Sequence, residues 1–364
     1  MHFEKTARVD KETDSEAPLG PAPWFSSWLR TYALVFAPLA LAGAILVGTI
    51  SCGKSVLRRT LTCVAFATPQ SGWIVGYRGS IFHIDDAGTT WTERHSGTTK
   101  HLFAITFVTP RLGWVVGEDG IILHTEDGGI NWNRQNSGVP HWLLSVAFVS
   151  PQSGWVVGVH ATILHTEDGG TTWQDQSNNK KGPRDSFPAF SSVAFATSQS
   201  GWAVGQDGTI LHTDSGGHLW DSQPSGAPRS PLWIFKRYGQ EGDWLTSVSF
   251  MTRELAWAVG DSGTILHTEE GGRTWTLQNS GTRQELRAVA FVTPRLGWAV
   301  GDNGTVLHTA DGGRNWVQQH SGTSQLLLSV AFTTPQSGWA VGDDDTVILT
   351  RDGGDTWAVR SVVR

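Results

Sequence analysis

Regularly spaced histidines are the residues of this 364-residue chain that could most readily do chemistry. Six of the 13 histidines recur at intervals of 41, 41, 47, 55 and 41 residues, and a neutral imidazole is a common metal ligand. Repetition around a closed structure would spread these side chains out instead of directing them at one ion. We therefore expect them to pack and hydrogen-bond between repeating units, and we predict no metal site and no cofactor. The six are His83, His124, His165, His212, His267 and His308, with Leu349 in the seventh unit.

Acidic residues form a second pattern, in the short turns that precede several of the histidine-bearing segments. Two carboxylates at a suitable separation could hydrolyse a glycosidic bond, and a rim of carboxylates could bind a basic or metal-bearing ligand. Aspartate beside glycine is also ordinary turn chemistry, and this interpretation is favoured. The acidic positions are Glu118, Asp119, Asp207, Asp261, Asp302 and Asp343 to Asp345.

The tyrosines and arginines disfavour a sialidase mechanism. Such an enzyme needs a tyrosine nucleophile and a cluster of arginines, whereas residues 61–364 contain only Tyr77 and Tyr238. Arg111, Arg253 and Arg295 occupy turns expected on the face opposite the acidic turns. We expect a binding protein and no enzyme, and keep a glycan-binding or glycoside-hydrolase domain as an alternative.

Two series of tryptophans show that these residues belong to a repeat of roughly 40 residues. The first series marks a Gly-Trp step, and in one copy Ala256 replaces the glycine before Trp257. The second series follows the first at a constant interval, as Trp91 follows Trp73. Seven copies of this period are typical of propeller blades and not of helical repeats or a single sandwich. We predict an all-β fold, a seven-bladed β-propeller of four-stranded blades over residues 61–364. The series are Trp73, Trp114, Trp155, Trp202, Trp257, Trp298 and Trp339, and Trp91, Trp132, Trp173, Trp220, Trp275, Trp316 and Trp357.

Each unit is predicted to contain four strands. The first alternates small and large side chains, as in Ser329 to Phe332, so that large residues of one blade can pack beside small ones of the next. Cys63 falls at a small position, which indicates packing and not chemistry. The first strand begins at Leu61 and the last covers Trp357 to Val362. No strand is then shared between the end blades, and closure depends on packing.

The part of the chain that precedes the repeats differs from them in composition. Residues 1–30 are polar and of mixed charge, and we predict that they are disordered. Residues 31–53 carry no charged side chain and could cross a bilayer as one transmembrane helix or signal anchor. Basic residues flank this segment on both sides, so its orientation is not decided by charge. Cys52 follows a weak lipoprotein-like sequence and is either lipidated or a thiol at the membrane edge.

Two long connectors break the repeat. In most copies the second-series tryptophan is followed at a fixed interval by the first-strand Val or Ile of the next unit, as Trp132 is by Val146. The interval is longer from Trp173 to Val193 and longest from Trp220 to Val248. Both connectors are expected on one propeller face, on adjacent blades. They either form a partner-binding patch or fold back over exposed blade edges. The candidate partner-binding residues are Trp233, Phe235, Lys236, Arg237, Tyr238, Lys180, Lys181 and Arg184, together with Phe187 and Phe190.

The run Thr166 to Trp173 resembles the Asp-box, or BNR repeat, of sialidases, sortilin-like receptors and glycosidases. The longer unit, with SVAF, PQSGWAVG and TILHT before this turn, resembles the photosystem II assembly and stability factor family over residues 61–364. That resemblance implies a non-catalytic seven-bladed propeller in the thylakoid lumen or periplasm. It also implies binding to the newly made D1 reaction-centre protein.

The resemblance rests on framework motifs, so it assigns no binding residue. Together with residues 31–53, it implies a membrane-anchored propeller outside the cytoplasm whose partner is a membrane protein or its assembly intermediate. A net charge of −6 indicates no nucleic-acid partner. A receptor-like surface propeller in a non-photosynthetic bacterium remains an alternative.

Overall fold

Each repeat folds into one antiparallel sheet of four strands, as the sequence predicts. The computed structural model describes residues 58–88, 90–177, 188–226 and 244–361. Seven sheets are present in this part of the chain, and in each the spatial order of the strands follows their order in the sequence. The all-β, seven-bladed propeller with four-stranded blades is therefore confirmed.

The strands are short because turns of glycine and aspartate interrupt the apolar runs every few residues. Blades 1 to 3 comprise β1 (Leu61–Thr68), β2 (Ser71–Gly76), β3 (Ser80–Asp85), β4 (Thr90–His95), β5 (Leu102–Phe107), β6 (Gly113–Gly117), β7 (Ile121–Thr125), β8 (Asn133–Asn136), β9 (Leu143–Phe148), β10 (Gly154–Gly158), β11 (Ile163–Thr166) and β12 (Gln174–Asp175). Blades 4 to 7 comprise β13 (Phe190–Phe195), β14 (Gly201–Gly205), β15 (Ile210–Thr213), β16 (Asp221–Gln223), β17 (Leu245–Phe250), β18 (Ala256–Gly260), β19 (Ile265–Thr268), β20 (Thr276–Gln278), β21 (Leu286–Phe291), β22 (Gly297–Gly301), β23 (Val306–Thr309), β24 (Val317–Gln319), β25 (Leu327–Phe332), β26 (Gly338–Gly342), β27 (Thr346–Thr350) and β28 (Ala358–Ser361).

The first strands of neighbouring blades lie side by side, and β25 lies beside β1. A serine at the small position of one blade accepts the backbone N–H of a valine in the next, as Ser145 does from Val193 at 3.2 Å. Ser329 does the same for Val64 at 3.2 Å, which links the last blade to the first. Cys63 holds this position in blade 1 and packs against the apolar cluster between blades 1 and 2, and burial raises the pKa of its thiol.

Large side chains fill the space between blades, and the second-strand tryptophan is the largest of them. Trp114 is fully buried and stacks on Phe148 of the next blade, with ring centroids 3.6 Å apart and planes 11° apart. Its indole N–H donates to the carbonyl of Gly169 in that blade at 3.1 Å. This contact buries a large apolar area while satisfying the polar atom of the indole.

The Asp-box turn between the third and fourth strands is held by its own side chains. In blade 2 the Thr125 hydroxyl donates to Asp127 Oδ1 at 2.8 Å and accepts the Gly129 N–H at 2.8 Å. The Asn131 backbone N–H donates to Asp127 Oδ1 at 2.9 Å, and bonds to Asn131 lower the pKa of Asp127 to about 2. The motif is a folding device, as the sequence predicts.

Closure depends on packing between the end blades, as predicted, since each sheet contains only consecutive strands. Leu61, Val64 and Phe82 of blade 1 share an apolar cluster with Trp339 and Val341 of blade 7. The segment before β1 adds polar contacts between Arg59 and the blade 7 turn.

Helical structure in the described ranges is limited to single 3-10 turns, and none of it is long and apolar enough to cross a membrane. Residues 1–30 and the predicted membrane segment 31–53 lie outside the described residues. The 3-10 turns are Tyr77–Gly79, Asp86–Gly88, Glu118–Gly120, Gln206–Gly208, Asp261–Gly263 and Asp302–Gly304.

Candidate functional site

Two sets of loops share one face of the propeller, which we call the connector face. It consists of the turns between second and third strands and of the connectors from each fourth strand to the next first strand. Lys100 of a connector forms an ion pair with Asp119 of such a turn, and Gln325 donates to Asp344 at 3.0 Å. These contacts place the acidic turns and the connectors together, as expected.

The opposite face, which we call the Asp-box face, carries the Asp-boxes and the turns between first and second strands. The Gly128 N–H donates to the Arg111 carbonyl at 2.9 Å, and the Gly312 N–H donates to that of Arg295 at 3.0 Å. The arginines of these turns therefore lie across the molecule from the acidic turns, as the sequence predicts.

The predicted partner-binding residues Trp233, Phe235, Lys236, Arg237, Tyr238, Lys180, Lys181 and Arg184, with Phe187, lie outside the described residues. Phe190 is described, and its prediction as a loop residue is wrong. It begins β13, is 3% exposed and packs with Trp155 and Val193 in the core between blades 3 and 4. Its apolar side chain is used by the framework.

Aromatic rings gather on the connector face of blades 1 to 3. Tyr77 stacks on His101 with centroids 4.2 Å apart and planes 10° apart. His101 Nδ1 accepts the Arg78 N–H at 3.1 Å, which requires an unprotonated nitrogen there. The ring centroids of Trp142 and Phe103 lie 5.4 Å apart, with the planes inclined by 39°. This part of the face offers flat, half-buried apolar surface, the type that anchors partners in protein interfaces.

Charged groups dominate the same face in blade 6. The Arg287 guanidinium donates to Asp302 Oδ1 at 2.8 Å and also bonds to Glu285. The arginine side chain is 9% exposed, so the two carboxylates compensate a largely buried charge.

Several carboxylates of the predicted acidic rim act as backbone acceptors. Glu118 accepts the His101 N–H at 3.1 Å, and Asp261 accepts the Trp244 N–H at 3.2 Å. These bonds fasten each turn to the connector that follows the preceding blade. The rim is therefore built into the turn chemistry, which supports the interpretation favoured by the sequence.

Aromatic and charged positions in the first strands were missed by sequence reasoning. The second residue of the first strand varies from blade to blade, whereas neighbouring positions repeat with little change. In blades 1 to 7 it is Thr62, Phe103, Leu144, Ser191, Thr246, Arg287 and Leu328. Thr62 and Thr246 use their hydroxyls to bond carbonyls of two blades. A search for variable positions inside the repeat, as well as for unequal lengths, would have identified Phe103 and Arg287.

The repeated histidines do not converge, but their contacts differ from the prediction. His124 stacks on Trp114 of its own blade, with centroids 4.7 Å apart, instead of bridging two blades. His83 bonds to Ser71, again within one blade, at 2.8 Å. Burial lowers the pKa of each of the six, which favours the neutral imidazole. Within the described ranges, no three His, Cys, Asp or Glu side chains are grouped as metal ligands.

Comparison with known proteins places these features in a family. Residues 54–137, 135–236 and 316–364 match the model of the photosynthesis system II assembly factor YCF48. No curated protein matches the chain.

Solved structures with the same fold include two YCF48 proteins. One is YCF48 bound to D1 peptide, which is 20% identical with a TM-score of 0.64 over 81% of this chain and 94% of that one. YCF48 from Cyanidioschyzon merolae is also 20% identical, with a TM-score of 0.64 over 81% of this chain and 96% of that one. A GH74 xyloglucanase from Xanthomonas campestris is 11% identical with a TM-score of 0.65, over 82% of this chain and 52% of that one. These identities show a shared fold alone.

The family model is the more informative match, because it depends on the sequence of the repeat and not only on its shape. Its matched ranges contain more than half of the chain. The protein therefore belongs to the photosynthesis system II assembly factor YCF48 family.

Proposed function

We propose that this protein is a non-catalytic assembly factor that binds a segment of a photosystem II protein, D1 or a D1-like reaction-centre protein. Family membership is the observation that carries the proposal. It is supported by the structure of a YCF48 described as bound to D1 peptide, which shares the fold.

The connector face is the proposed binding surface. Loops on a rigid scaffold are the usual carriers of binding residues. Here a backbone bond joins a turn to a connector, as the Val159 N–H donates to the Trp142 carbonyl at 3.0 Å. The rings of Tyr77, Phe103 and Trp142 would supply apolar anchors. The Arg287 network would favour polar groups of a partner segment.

The two long connectors would extend this surface. Trp233, Phe235, Lys236, Arg237 and Tyr238 belong to one of them, and Lys180, Lys181 and Arg184 to the other. Both leave fourth strands, β16 and β12, so both begin on the connector face. Aromatic and basic residues of this kind are common at the energetic centre of protein interfaces.

A binding role without catalysis fits the charged groups of the connector face. Glu118 and Asp261 accept backbone N–H groups, while Asp302 bonds Arg287. A glycosidase needs one carboxylate as acid and another as nucleophile or base, free to change partners during the reaction. Structural roles for these side chains disfavour that use.

Capture of D1 from solubilised native membranes tests the proposed surface. We expect the full chain to retain D1, and a variant with Trp233, Phe235, Lys236 and Arg237 changed to alanine to lose about tenfold or more in retention. A second variant, Phe103→Ala with Trp142→Ala, tests the described part of the face. Exposed apolar residues of the Asp-box face provide the matched control, Ile130→Ala with Leu219→Ala, which should leave capture unchanged.

Equal capture by both connector-face variants and the control would reject this surface. Capture of other proteins but not D1 would favour the receptor-like alternative. Release of sugar from a glycan panel by the purified protein would show that it is an enzyme.

We further propose that residues 31–53 anchor the protein in a membrane, with the propeller in the periplasm or thylakoid lumen. The absence of charged side chains from Thr31 to Gly53 supports an apolar membrane segment. Protease added to intact cytoplasmic-membrane vesicles whose outer side corresponds to the periplasm should digest a periplasmic propeller. In intact thylakoid vesicles, which enclose the lumen, a lumenal propeller should be protected until the vesicles are lysed. Protection in the cytoplasmic-membrane vesicles, or digestion in intact thylakoid vesicles, would place the propeller on the cytoplasmic side.

A further inference from the structure

One pair of positions on the connector face is filled by complementary side chains in three blades. The first position is the connector residue two places before the first strand of a blade. The second is the middle residue of the turn between the second and third strands, 19 positions later. Lys100 and Asp119 form an ion pair in blade 2, and Asn303 donates to Gln284 at 2.8 Å in blade 6. Blade 7 pairs Gln325 with Asp344 in the same way.

Blade 3 places two histidines at these positions, His141 and His160. Their ring centroids are 4.6 Å apart and their planes are inclined by 46°. Among the described residues, neither ring takes part in a hydrogen bond, so the nitrogen lone pairs are not used by the protein. His160 is exposed and His141 half-buried, which leaves the pair open to solutes.

The backbone holds the two imidazoles near each other. Val159 donates to the Trp142 carbonyl at 3.0 Å, which joins the turn to the connector beside both histidines. Ala161 donates to the Pro188 carbonyl at 2.7 Å and fixes the other end of the turn. A pair positioned in this way loses little freedom when it binds a ligand.

The electrostatics favour a cation. Burial lowers the pKa of His141, and the neighbouring His160 lowers it further, so the ring is neutral and its lone pair available near pH 7. Asp175 of β12 acts in the opposite sense on that pKa, which shows that a carboxylate lies within electrostatic range. A divalent ion would gain two nitrogen ligands and a nearby negative charge.

We propose that His141 and His160 form a binding site for a borderline divalent transition ion, with the remaining coordination positions open to water. Imidazole nitrogen is a preferred ligand of Zn²⁺, Cu²⁺ and Ni²⁺. Two nitrogens bound to one Zn²⁺ at about 2.0–2.1 Å would lie about 3.4 Å apart, a spacing within reach of rings with the observed separation. The site does not depend on the function proposed above.

Calorimetric titration of the full chain with Zn²⁺, without an affinity tag and in a non-chelating buffer, tests the proposal. The variant His141→Gln with His160→Asn reproduces the pair that blade 6 uses, so it should keep the fold. We expect it to lose one equivalent of Zn²⁺ binding or to bind at least about tenfold more weakly. The other histidines are unchanged in both proteins and provide a common background.

The thermal unfolding temperature of each protein without metal checks that the variant is folded. If the double variant unfolds, the exposed single change His160→Asn replaces it. No Zn²⁺ binding by the unchanged protein, or equal affinity and stoichiometry in a folded variant, would overturn the assignment.

Discussion

The rings of Trp202 and Phe250 lie 5.3 Å apart and are inclined by 46°, whereas the equivalent Trp155 and Phe195 stack at 3.5 Å and 10°. The cause is Ala256, which precedes Trp257 at a position where the other copies have glycine. An added Cβ on Gly201 would lie 2.5 Å from the Phe195 ring, and Ala256 carries such a Cβ beneath Phe250.

The change Ala256→Gly should therefore restore the stacking of Trp202 and Phe250. Regained ring contact contributes about 0.5–1.5 kcal/mol. This gain offsets about 0.5–1 kcal/mol for glycine in a strand. We expect chemical denaturation to show unchanged or slightly increased stability.

The reverse change, Gly154→Ala, is the matched control for this prediction. Its Cβ would lie 2.5 Å from the ring of Phe148, and overpacking of this kind costs about 1–3 kcal/mol. Comparable destabilisation by both changes would refute the role assigned to the glycine.

The third-strand histidines should lower the stability of the propeller as the pH falls below 6.5, the ordinary pKa of histidine. Burial lowers their pKa in the folded state, so the unfolded chain takes up protons first and unfolding is favoured. The Asp-box carboxylates of Asp127, Asp311 and Asp352 have pKa values of about 2, so their stabilisation is lost only at much lower pH. Thermal unfolding at pH 7.5 and 5.0 measures the histidine effect.

His308→Leu isolates one histidine, because Leu349 occupies this position opposite Trp339 in blade 7. We expect the variant to lose less stability than the unchanged protein between pH 7.5 and 5.0. An identical loss would show that the stacked histidines do not cause it.

Contacts between Arg59 and Asp345 should contribute to closure of the propeller. The Asp345 N–H donates to the Arg59 carbonyl at 2.8 Å, and Asp345 Oδ2 accepts the Arg59 N–H at 3.2 Å. Asp345 is 3% exposed, and burial raises the pKa of its carboxyl group. Asp345→Ala removes the acceptor and should cost about 1–3 kcal/mol in unfolding free energy.

Asp345→Asn is the control for closure, since its amide oxygen can still accept the Arg59 N–H while the buried charge disappears. We expect its stability at pH 7 to equal or exceed that of the unchanged protein. Alanine is sterically acceptable at this site, because Ala161 adopts φ 56° at the equivalent position of blade 3 and Asp345 also has φ 56°. Equal losses in the two variants would exclude the side-chain acceptor as the cause.

Glycine at the end of the turn between second and third strands shows how tertiary context changes a repeat. Gly120 has φ 67°, and an added Cβ would lie 1.9 Å from the Val139 carbonyl of the following connector. Ala161 and Asp345 replace this glycine where the connector is longer or where the chain returns to its first blade. The exceptions are visible in the sequence, but the clash that explains them is not.

The amino-acid sequence by itself determined the number of blades, the four strands of each and the closure without a shared strand. These features repeat with the chain, and period and turn chemistry are local properties. Only the tertiary structure showed that the histidines stack within blades, that Phe190 is buried and that His141 lies beside His160. Those relationships join residues of different strands or connectors, whose distances depend on how the blades pack.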